Sequence, residues 1–482
     1  MIAMTLDRIA DVVGGTVHDD PGVTVTGPAF VDSRVAEIGG LFAAFDGEHV
    51  DGHDYAAAAL EGGAAAVLGS RPLGLPMVVV ADPLEALGRL ARHVLTQLPR
   101  TKVVALTGSQ GKTSTKDLLE QVLSAAGTTV ATAGSLNNEL GLPLTVLRAD
   151  HDTEFLVLEM GARGIGHLSY LCRIAPPDVS LVLNVGKAHI GEFGTQADIA
   201  QAKGELVEAL QPDGTAVLNA DDPLVAAMAA RSTGHVLTYG ERAGSDVLLS
   251  GLEVDELGRP RFDLTHDGTT EHVAMRLHGE HHASNAAAAA GVAAALGVPL
   301  DRVAAALSTA TSTSRWRMEL HERGDGITIV NDAYNANPDS MRAALKALAA
   351  IGRGRPERAR TIAVLGEMLE LGESSREEHD AVGRLAVRLD ISQLVVVGEG
   401  ARPLHLGACL EGSWAEESVF VEDNAAALAW LRANLRPGDV VLLKASRAAG
   451  LETVAEALVA DSPGSSPPPT ELPTAPPKES DR

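Results

Sequence analysis

A short glycine-rich segment has the composition and spacing of a phosphate-binding loop: Gly108-Ser109-Gln110-Gly111-Lys112-Thr113, followed by Ser114. Its glycines let backbone N–H groups face phosphate oxygens, and a helix that starts there adds the positive end of its dipole. In such loops the lysine, here Lys112, contacts the outer phosphates, and the hydroxyl of Thr113 binds magnesium. The loop is shorter than the common G-x-x-x-x-G-K-[ST] form because Leu106 stands where its first glycine would be. The segment predicts ATP binding; a turn that contains these residues by chance is the alternative.

Two more side chains follow predicted strands and are suited to metal or phosphate chemistry. Glu159 lies near the end of the apolar run 155–160, at the carboxyl end of a strand, where open α/β sheets bind their ligands. A carboxylate there holds the metal that bridges phosphates. His189 follows the apolar run 179–185 after three intervening residues. A solvated glutamate and a structural histidine are the ordinary alternatives for these two residues.

Lys203 lies within the apolar face of a predicted helix over residues 199–210. The apolar positions of that helix include Ile199, Leu206 and Val207, and a period of 3.6 residues places Lys203 among them. A lysine in such a position either extends its ammonium group to solvent or has a lowered pKa. A neutral lysine reacts with carbon dioxide to give a carbamate, an anion that binds metal. From the residues alone, extension to solvent is the favoured interpretation.

A polar segment after the predicted strand 327–330 is a second candidate for ligand contact. It reads Asn331-Asp332-Ala333-Tyr334-Asn335-Ala336-Asn337-Pro338-Asp339-Ser340. Amide, carboxylate, phenol and hydroxyl groups are concentrated here more densely than a turn requires, which favours a ligand-contacting loop. Asn285 opens an alanine-rich helix and could be its N-terminal cap.

The elements that must position these residues alternate between short Val/Leu-rich strands and Ala/Leu-rich helices. This alternation predicts an α/β fold built from parallel sheets with crossover helices. The length of 482 residues predicts two or three domains. We expect boundaries that give domains 1–99, 100–313 and 314–460. Residues 461–482 are rich in proline and serine and predict a disordered tail, because they contain too few apolar side chains to form a core.

Composition and charge exclude several other classes of protein. The net charge is −25 and no cluster of Lys and Arg forms a basic surface, which argues against nucleic acid as a partner. We see no secretion signal at the amino end. The alanine-rich stretch 283–298 is too weakly apolar to span a membrane. Cys172 and Cys409 fit no disulfide or metal pattern. We therefore expect a soluble, cytoplasmic protein that binds no membrane.

Taken together, these segments resemble the Mur ligases over residues 5–460. Besides the phosphate-binding loop and the 331–341 loop, the resemblance is carried by Leu136-Asn137-Asn138-Glu139-Leu140-Gly141, Glu159-Met160-Gly161, residues 184–194, Ala202-Lys203-Gly204-Glu205, Asn219-Ala220-Asp221-Asp222 and Lys444-Ala445-Ser446-Arg447. The 331–341 loop is most specific to the branch that adds a dipeptide, whereas the 366–372 loop, with His379 after it, is shared more widely. The resemblance implies three domains: a UDP-sugar-binding N-terminal domain, a central P-loop ATPase-like parallel sheet and a Rossmann-like C-terminal ligase domain.

The resemblance also implies roles for the residues around the nucleotide. Thr113 and Glu159 would hold one magnesium ion. Glu159, His189 and a carbamylated Lys203 would hold a second, which reverses the interpretation of Lys203 from its position alone. With Lys112, these residues would form the catalytic centre. ATP would be bound by the phosphate-binding loop with three further residues: Asn285, Arg317 and Asp332.

The remaining implied positions concern the other substrates. Ser33 and Arg34, with Gly47 and His53 downstream, resemble a uridine-diphosphate sugar site, and Asn138 would face the sugar-peptide. Tyr334, Asn335, Asn337 and Ser340 would contact the incoming dipeptide or the nucleotide, and which residue does which stays open.

The sequence departs from the family pattern at two points. Gly279-Glu280-His281-His282 stands in place of Gly-x-His-Asn, so that His282 replaces an asparagine, and we expect Asn285 to keep the adenine contact. The segment before Met318 lacks a common glycine, and we align Arg317 rather than Arg315 because Met318 and Glu319 follow it.

The activity implied is the ATP-dependent addition of D-alanyl-D-alanine to UDP-N-acetylmuramoyl-tripeptide through an acyl phosphate, a step in building peptidoglycan, by a monomer. Three alternatives stay open. A related ligase would add a single amino acid, or glutamate to folate; the 331–340 loop and Ser33-Arg34 disfavour it. A P-loop ATPase without ligase activity leaves Lys203 and the first domain unexplained. An inactive relative that binds nucleotide-sugars is disfavoured because Lys112, Glu159, His189 and Lys203 are all present.

Overall fold

Separate β-sheets organise the chain into three regions. The computed structural model describes residues 1–47, 50–186, 190–355, 358–412 and 417–461. Its three larger sheets have five, nine and six strands, and a two-stranded pair accompanies the first. The α/β class is confirmed. The exact domain boundaries stay predictions, and the predicted tail lies outside the described residues except for Asp461.

The first region contains a five-stranded sheet in the order β2-β7-β6-β5-β4. Its strands are parallel except β2, which is antiparallel to β7. The helix α3 begins where Asp82 accepts hydrogen bonds from the N–H groups of Leu84 and Glu85, with Pro83 as its first residue. The elements are β1 (Met4–Thr5), α1 (Leu6–Val13), β2 (Thr16–His18), β3 (Thr24–Val25), β4 (Ala29–Phe30), β5 (Leu41–Ala43), α2 (Ala56–Glu61), β6 (Ala66–Gly69), β7 (Met77–Val79), α3 (Pro83–Thr96), and 3-10 turns at Ser33–Val35 and Gly52–Tyr55.

The central region is a nine-stranded sheet in the order β16-β15-β14-β13-β12-β11-β8-β10-β9. It is parallel from β9 to β14, and the edge strands β15 and β16 are antiparallel, an extension that the sequence did not predict. The elements are β8 (Lys102–Thr107), α4 (Lys112–Ser124), β9 (Thr129–Ala131), α5 (Gly141–Val146), β10 (Phe155–Glu159), α6 (His167–Ile174), β11 (Val179–Val182), α7 (Ile190–Phe193), α8 (Gln196–Glu208), β12 (Thr215–Asn219), α9 (Pro223–Ala226), β13 (His235–Gly240), β14 (Val247–Val254), β15 (Pro260–His266), β16 (Thr269–Ala274), α10 (His281–Ala295), α11 (Leu300–Thr309), and a 3-10 turn at Ala227–Arg231.

The third region is a six-stranded sheet in the order β17-β18-β22-β19-β20-β21. Among the described strands of this sheet, only the pair of β17 and β18 is antiparallel. The elements are β17 (Glu319–Glu322), β18 (Thr328–Asn331), α12 (Pro338–Gly354), β19 (Thr361–Leu365), α13 (Ser375–Arg388), β20 (Gln393–Val397), α14 (Arg402–Glu411), β21 (Ser418–Val421), α15 (Asn424–Asn434), β22 (Val440–Lys444), α16 (Glu452–Ala460), and 3-10 turns at Gly372–Ser374, Glu399–Ala401 and Arg447–Ala449.

Helices cover both faces of the central sheet. One face joins the first region in a shared core in which Val103 and Leu158 pack with residues of α3 such as Leu87. The other face packs against α4, α10 and α11, where alanine lets the long helix α10 lie close to the strands. This double coverage explains why the central strands read as continuous apolar runs. Among the described residues, no helix combines the length and apolarity needed to cross a bilayer.

Strand register brings the candidate residues to one edge of the central sheet. Glu159 pairs with Leu106 in the parallel ladder of β10 and β8, and Thr107 pairs with Val182 at the end of β11. The carboxyl ends of these three strands therefore meet at the phosphate-binding loop. In the third region, β18 ends at Asn331, beside Leu443 of β22. The polar loop 331–340 starts at this point.

Helices α13 and α14 cross so closely that glycine is required at the contact. A Cβ atom on Gly383 would lie 2.0 Å from the carbonyl oxygen of Leu404. We expect Gly383→Ala to lower the free energy of unfolding by about 1–3 kcal/mol, because the backbones must separate. Urea unfolding followed by circular dichroism measures this. Gly164→Ala is the control, since its methyl group would meet nothing within 4 Å; equal stability of G383A and wild type would contradict the packing argument.

Candidate active site

A cavity of about 540 Å³ separates the central and C-terminal regions. From the central side it is lined by Lys112, Thr113, Asn138, Glu159 and Lys203, among others, and from the other side by Tyr334, Asn335, Asn337, Ser340 and Arg447, among others. A smaller adjoining cavity of about 150 Å³ is lined in part by Gly111, Ser114, Asn285, Arg317 and Asp332. The structure therefore brings together most of the predicted residues, although they come from distant parts of the sequence.

The phosphate-binding loop connects β8 to α4. Gly111 has a φ of 78°, in the left-handed region that favours glycine, and α4 begins at Lys112. A Cβ atom on Gly111 would lie 2.8 Å from Oδ1 of Asn285. Among the described side chains none caps the start of α4, so its first N–H groups are available to an anion.

Lys112 folds back over this loop. Its Nζ donates a hydrogen bond to the carbonyl oxygen of Gly108 at 2.8 Å. Burial lowers the pKa of Lys112, and the nearby charge of Glu159 acts in the opposite direction. The ammonium group thus lies at the mouth of the loop, close to a carboxylate.

Glu159 is buried, with one oxygen satisfied and the other not. Its Oε1 accepts a hydrogen bond from Nδ2 of Asn137 at 2.7 Å, and its backbone N–H donates to Oγ1 of Thr132. Oε2 is buried and has no hydrogen-bond partner among the described residues. A buried carboxylate oxygen is costly unless a cation or a donor reaches it. The chemistry of this oxygen therefore fits a divalent cation that prefers oxygen ligands, and the hydroxyl of Thr113 offers a second oxygen in the same cavity.

Lys203 is buried on α8, with 4% of its surface exposed. The interpretation that its ammonium group extends to solvent is therefore wrong. Burial, and to a smaller extent the charge of Lys112, holds the pKa of Lys203 well below its ordinary value. A depressed pKa favours the neutral amine, which is the form that reacts with carbon dioxide. His189, the third predicted member of this cluster, lies outside the described residues.

Arg317 reaches the phosphate-binding loop from the C-terminal side. Its Nη2 donates to Oγ1 of Thr113 at 3.1 Å, and its guanidinium carbon lies 4.1 Å from the centre of the Tyr334 ring. The flanking residues Trp316 and Met318 both have positive φ, which non-glycine residues rarely adopt. Arg315, the alternative alignment, pairs with Glu456 instead and does not line the cavity.

Asn285 and Asp332 lie on opposite sides of the smaller cavity. Helix α10 begins at His281, so the interpretation of Asn285 as its N-terminal cap is wrong. Nδ2 of Asn285 is buried without a hydrogen-bond partner in the described structure. Asp332 pairs with Nζ of Lys444 at 2.7 Å and accepts from the N–H of Met318. We predicted no role for Lys444 from the sequence, although a lysine at the end of a buried apolar strand is a signal that indicates a functional residue.

The substitution at position 282 gives a buried histidine. His282 is 4% exposed, its ring centroid lies 4.3 Å from that of His281, and burial holds its pKa well below the ordinary value. Its Nδ1 has no hydrogen-bond partner among the described residues. His281, in contrast, lines both the 150 Å³ cavity and a neighbouring one.

Several predicted substrate residues also have structural roles. Asn337 and Ser340 form a reciprocal capping box at the start of α12. Asn138 accepts from the N–H of Gly141. These bonds fix the loops that border the cavity.

Ser33 and Arg34 do not line the large cavity. Arg34 pairs with Asp32 on the surface of the first region. His53 is buried, with Nε2 accepting from the N–H of Ser70 and Nδ1 against Asp51. Both of its ring nitrogens are occupied, so His53 acts as a loop anchor in this structure.

Comparison with known proteins agrees with this architecture. Family models match over residues 106–293 (Mur ligase middle domain), 316–447 (Mur ligase, glutamate ligase domain) and 29–94 (Mur ligase family, catalytic domain). A Mycobacterium bovis relative named UDP-N-acetylmuramoyl-tripeptide--D-alanyl-D-alanine ligase is 49% identical over 96% of this chain and 98% of its own. The chain belongs to the Mur ligase family.

Solved Mur ligases share the same fold over nearly the whole chain. A crystal structure of MurF from Acinetobacter baumannii is 32% identical, covers 95% of this chain and 99% of its own, and gives a TM-score of 0.83. MurF ligase from Thermotoga maritima, solved in complex with ADP, is 30% identical, covers 91% and 98%, and gives a TM-score of 0.76. The three-domain Mur ligase architecture is therefore confirmed.

A buried histidine holds the 366–372 loop of this Mur ligase. Nε2 of His379 accepts from the N–H of Met368 at 2.9 Å, and Nδ1 donates to the carbonyl oxygen of Ser375 at 2.6 Å. Leu369 and Glu370, the next residues of the loop, line the large cavity. Burial lowers the pKa of His379, and the charges of Glu367 and Glu378 oppose the shift.

Acidification should loosen this loop. Because the folded pKa is below the unfolded value of about 6.5, the stabilisation is complete above that pH and is lost as the pH falls toward the folded pKa. We expect His379→Ala to cost about 1–3 kcal/mol at pH 7.5, where it leaves the Met368 N–H unpaired, and less at pH 5.5. Urea unfolding at both pH values measures this. The exposed residue His151 gives the control H151A; an H379A effect that does not shrink on acidification would contradict the assignment.

Proposed function

We propose that this chain is an ATP-dependent ligase that joins D-alanyl-D-alanine to UDP-N-acetylmuramoyl-tripeptide, giving the pentapeptide precursor of peptidoglycan. The observation that carries the proposal is the convergence of Lys112, the unpartnered Oε2 of Glu159 and buried Lys203 in one cavity. Two proteins support the choice of substrates because they are similar over nearly the full length of the chain: the relative named UDP-N-acetylmuramoyl-tripeptide--D-alanyl-D-alanine ligase and the solved MurF.

The chemistry requires activation of a carboxylate, because an amine does not displace hydroxide from it at a useful rate. Attack of the substrate carboxylate on the γ-phosphorus of ATP forms an acyl phosphate and releases ADP. The free amine of the dipeptide then attacks the acyl carbon, and the tetrahedral intermediate collapses to the amide and phosphate. Lys112 neutralises charge on the transferring phosphoryl group.

The chain's own residues hold the nucleotide between two regions. The residues from Gly108 to Ser114, among them Ser109, Gln110 and Gly111, surround the phosphates. The unpartnered Nδ2 of Asn285 binds the adenine, and Arg317 and Asp332 bind the phosphates and the ribose. Arg317 connects closure of the C-terminal region to nucleotide binding, because it already contacts Thr113 across the cavity.

Magnesium would be held at this cavity by residues of the central region. Thr113 and Glu159 would hold one ion, and Glu159, His189 and the carbamate of Lys203 would hold a second. The carbamate forms when the neutral amine of Lys203 adds to carbon dioxide and loses a proton. When bound, the metal neutralises phosphate charge as the carboxylate approaches phosphorus.

The other substrates bind at the first region and along the walls of the cavity. Ser33 and Arg34 of the first region bind the uridine diphosphate, and Asn138 faces the sugar-peptide. Tyr334, Asn335, Asn337 and Ser340 border the dipeptide and the nucleotide. The enzyme acts as a monomer in the cytoplasm, where its two free cysteines stay reduced.

ADP release tests the substrates directly. With ATP, magnesium and UDP-N-acetylmuramoyl-tripeptide, we expect purified protein to release ADP at a rate that depends on D-alanyl-D-alanine, because the second step needs the amine. A coupled spectrophotometric assay measures this. ADP release with a single amino acid but not with the dipeptide would refute the proposal, and rapid release without any acceptor would favour a P-loop ATPase.

Replacement of Lys203 tests the carbamate. We expect Lys203→Ala to lower kcat by about a hundredfold or more, because it removes a metal ligand, and small carboxylates such as acetate to restore part of the activity. The control is Lys112→Ala. This variant lacks a cation, which an added carboxylate cannot replace, so we expect no restored activity. Unchanged activity of K203A would contradict the carbamate.

A further inference from the structure

The acceptor dipeptide brings an ionised carboxylate into the cavity. Its ammonium group must lose a proton before it attacks, but its carboxylate stays charged throughout the reaction. A carboxylate enclosed without a cation or hydrogen-bond donors is strongly disfavoured. The cavity must therefore supply a cationic partner for this carboxylate, on the wall that the phosphates and the proposed magnesium ions do not occupy.

The cationic side chains of the described cavity lining divide between its two walls. Lys112 and Lys203 belong to the phosphate and metal chemistry, and Arg317 contacts Thr113. Arg163 and His167 lie on the central side, where both face Glu139. Arg447 comes from the C-terminal region and faces the same cavity.

Arg447 is held in place on two sides. Its guanidinium carbon lies 4.2 Å from the centre of a Trp316 ring, and Nη1 pairs with Oε1 of Glu452. Glu452 is buried, whereas about half of the Arg447 side chain remains exposed. Within the described chain, Nε and Nη2 donate no hydrogen bond. A fixed guanidinium with an accessible edge is suited to bidentate contact with a carboxylate.

The surroundings of Arg447 match the rest of a small dipeptide. Leu369 and Ala448 line the same wall, and Leu369 exposes 41% of its surface. Exposed apolar groups in a cavity are suited to contact the methyl groups of alanine residues. Asn335 adds polar contacts on this wall.

We propose that Arg447 binds the carboxylate of the incoming dipeptide and so makes the enzyme select acceptors with a free C-terminal carboxylate. This inference rests on the proposed ligase function and assigns a role to a residue that resemblance alone left without one. Trp316 and Glu452 act as positioning residues for the guanidinium.

A cycle of two substrates and two enzymes tests the contact. The substrates are D-alanyl-D-alanine and its C-terminal amide, which lacks the negative charge; the enzymes are wild type and Arg447→Ala. In wild type we expect kcat/KM for the amide to be lower by about 30-fold or more. In R447A we expect a similar loss with the acid substrate, a ratio of acid to amide near one, and KM for ATP and for the nucleotide-sugar unchanged. Arg447→Lys should keep part of the preference for the acid over the amide, because lysine keeps the positive charge but lacks the planar guanidinium that contacts a carboxylate in a bidentate manner.

Arg315→Ala is the matched control. Arg315 also stacks on Trp316, at 5.0 Å, and pairs with Glu456, but it does not line the cavity. We expect Arg315→Ala to discriminate between the dipeptide and its C-terminal amide as wild type does.

The outcomes separate this inference from the proposed function. A wild type that shows no dipeptide-dependent ADP release refutes the function and the inference together. A wild type that uses acid and amide equally well overturns the inference alone, and this comparison needs no variant to fold. R447A that keeps the wild-type preference, or that raises KM for ATP instead, also overturns it.

Discussion

The buried carboxylate of Glu159 is the feature on which the rest of the site depends. One of its oxygens is held by Asn137, and the other has no hydrogen-bond partner among the described residues. Lys112 is close enough for the charges to influence each other, and Lys203 is buried in the same cavity. Such an arrangement is unfavourable for folding alone, because buried charges lose their hydration. The ligands of the proposed reaction, ATP phosphates with magnesium, would supply the missing charge partners of this cluster.

The construction from two sheets follows from this requirement. The ends of the central strands form the wall that carries the phosphate-binding loop, and the loops after the C-terminal strands form the opposite wall. Arg317 already contacts Thr113 across the gap, and Tyr334 and Trp316 pack beside it. Cations are thereby distributed over both walls, with Arg447 on the C-terminal wall. Each substrate charge can meet its partner only when the two regions are close together.

Local patterns predicted most of the elements. The strands that end at Glu159 and Asn331 lie within one residue of the apolar runs that indicated them, because strands buried on both faces read as continuous apolar segments. The antiparallel edge β15–β16 was missed, since its strands alternate polar and apolar residues in a region without other signals. The start of α10 was placed too late, because His281 and His282 do not look like the first turn of an alanine-rich helix.

The sequence by itself determined the phosphate-binding loop, the α/β class and the family, because these depend on residue types at fixed short spacings. Tertiary structure alone decided which charges meet. Lys203 is buried rather than solvated, Asp332 pairs with Lys444, and the guanidinium group of Arg447 packs over the ring of Trp316. These partners are separated by many residues in the chain, so that only the register of the strands and the packing of two regions bring them together. Burial and the pairing of charges arise from that packing, and no local pattern specifies them.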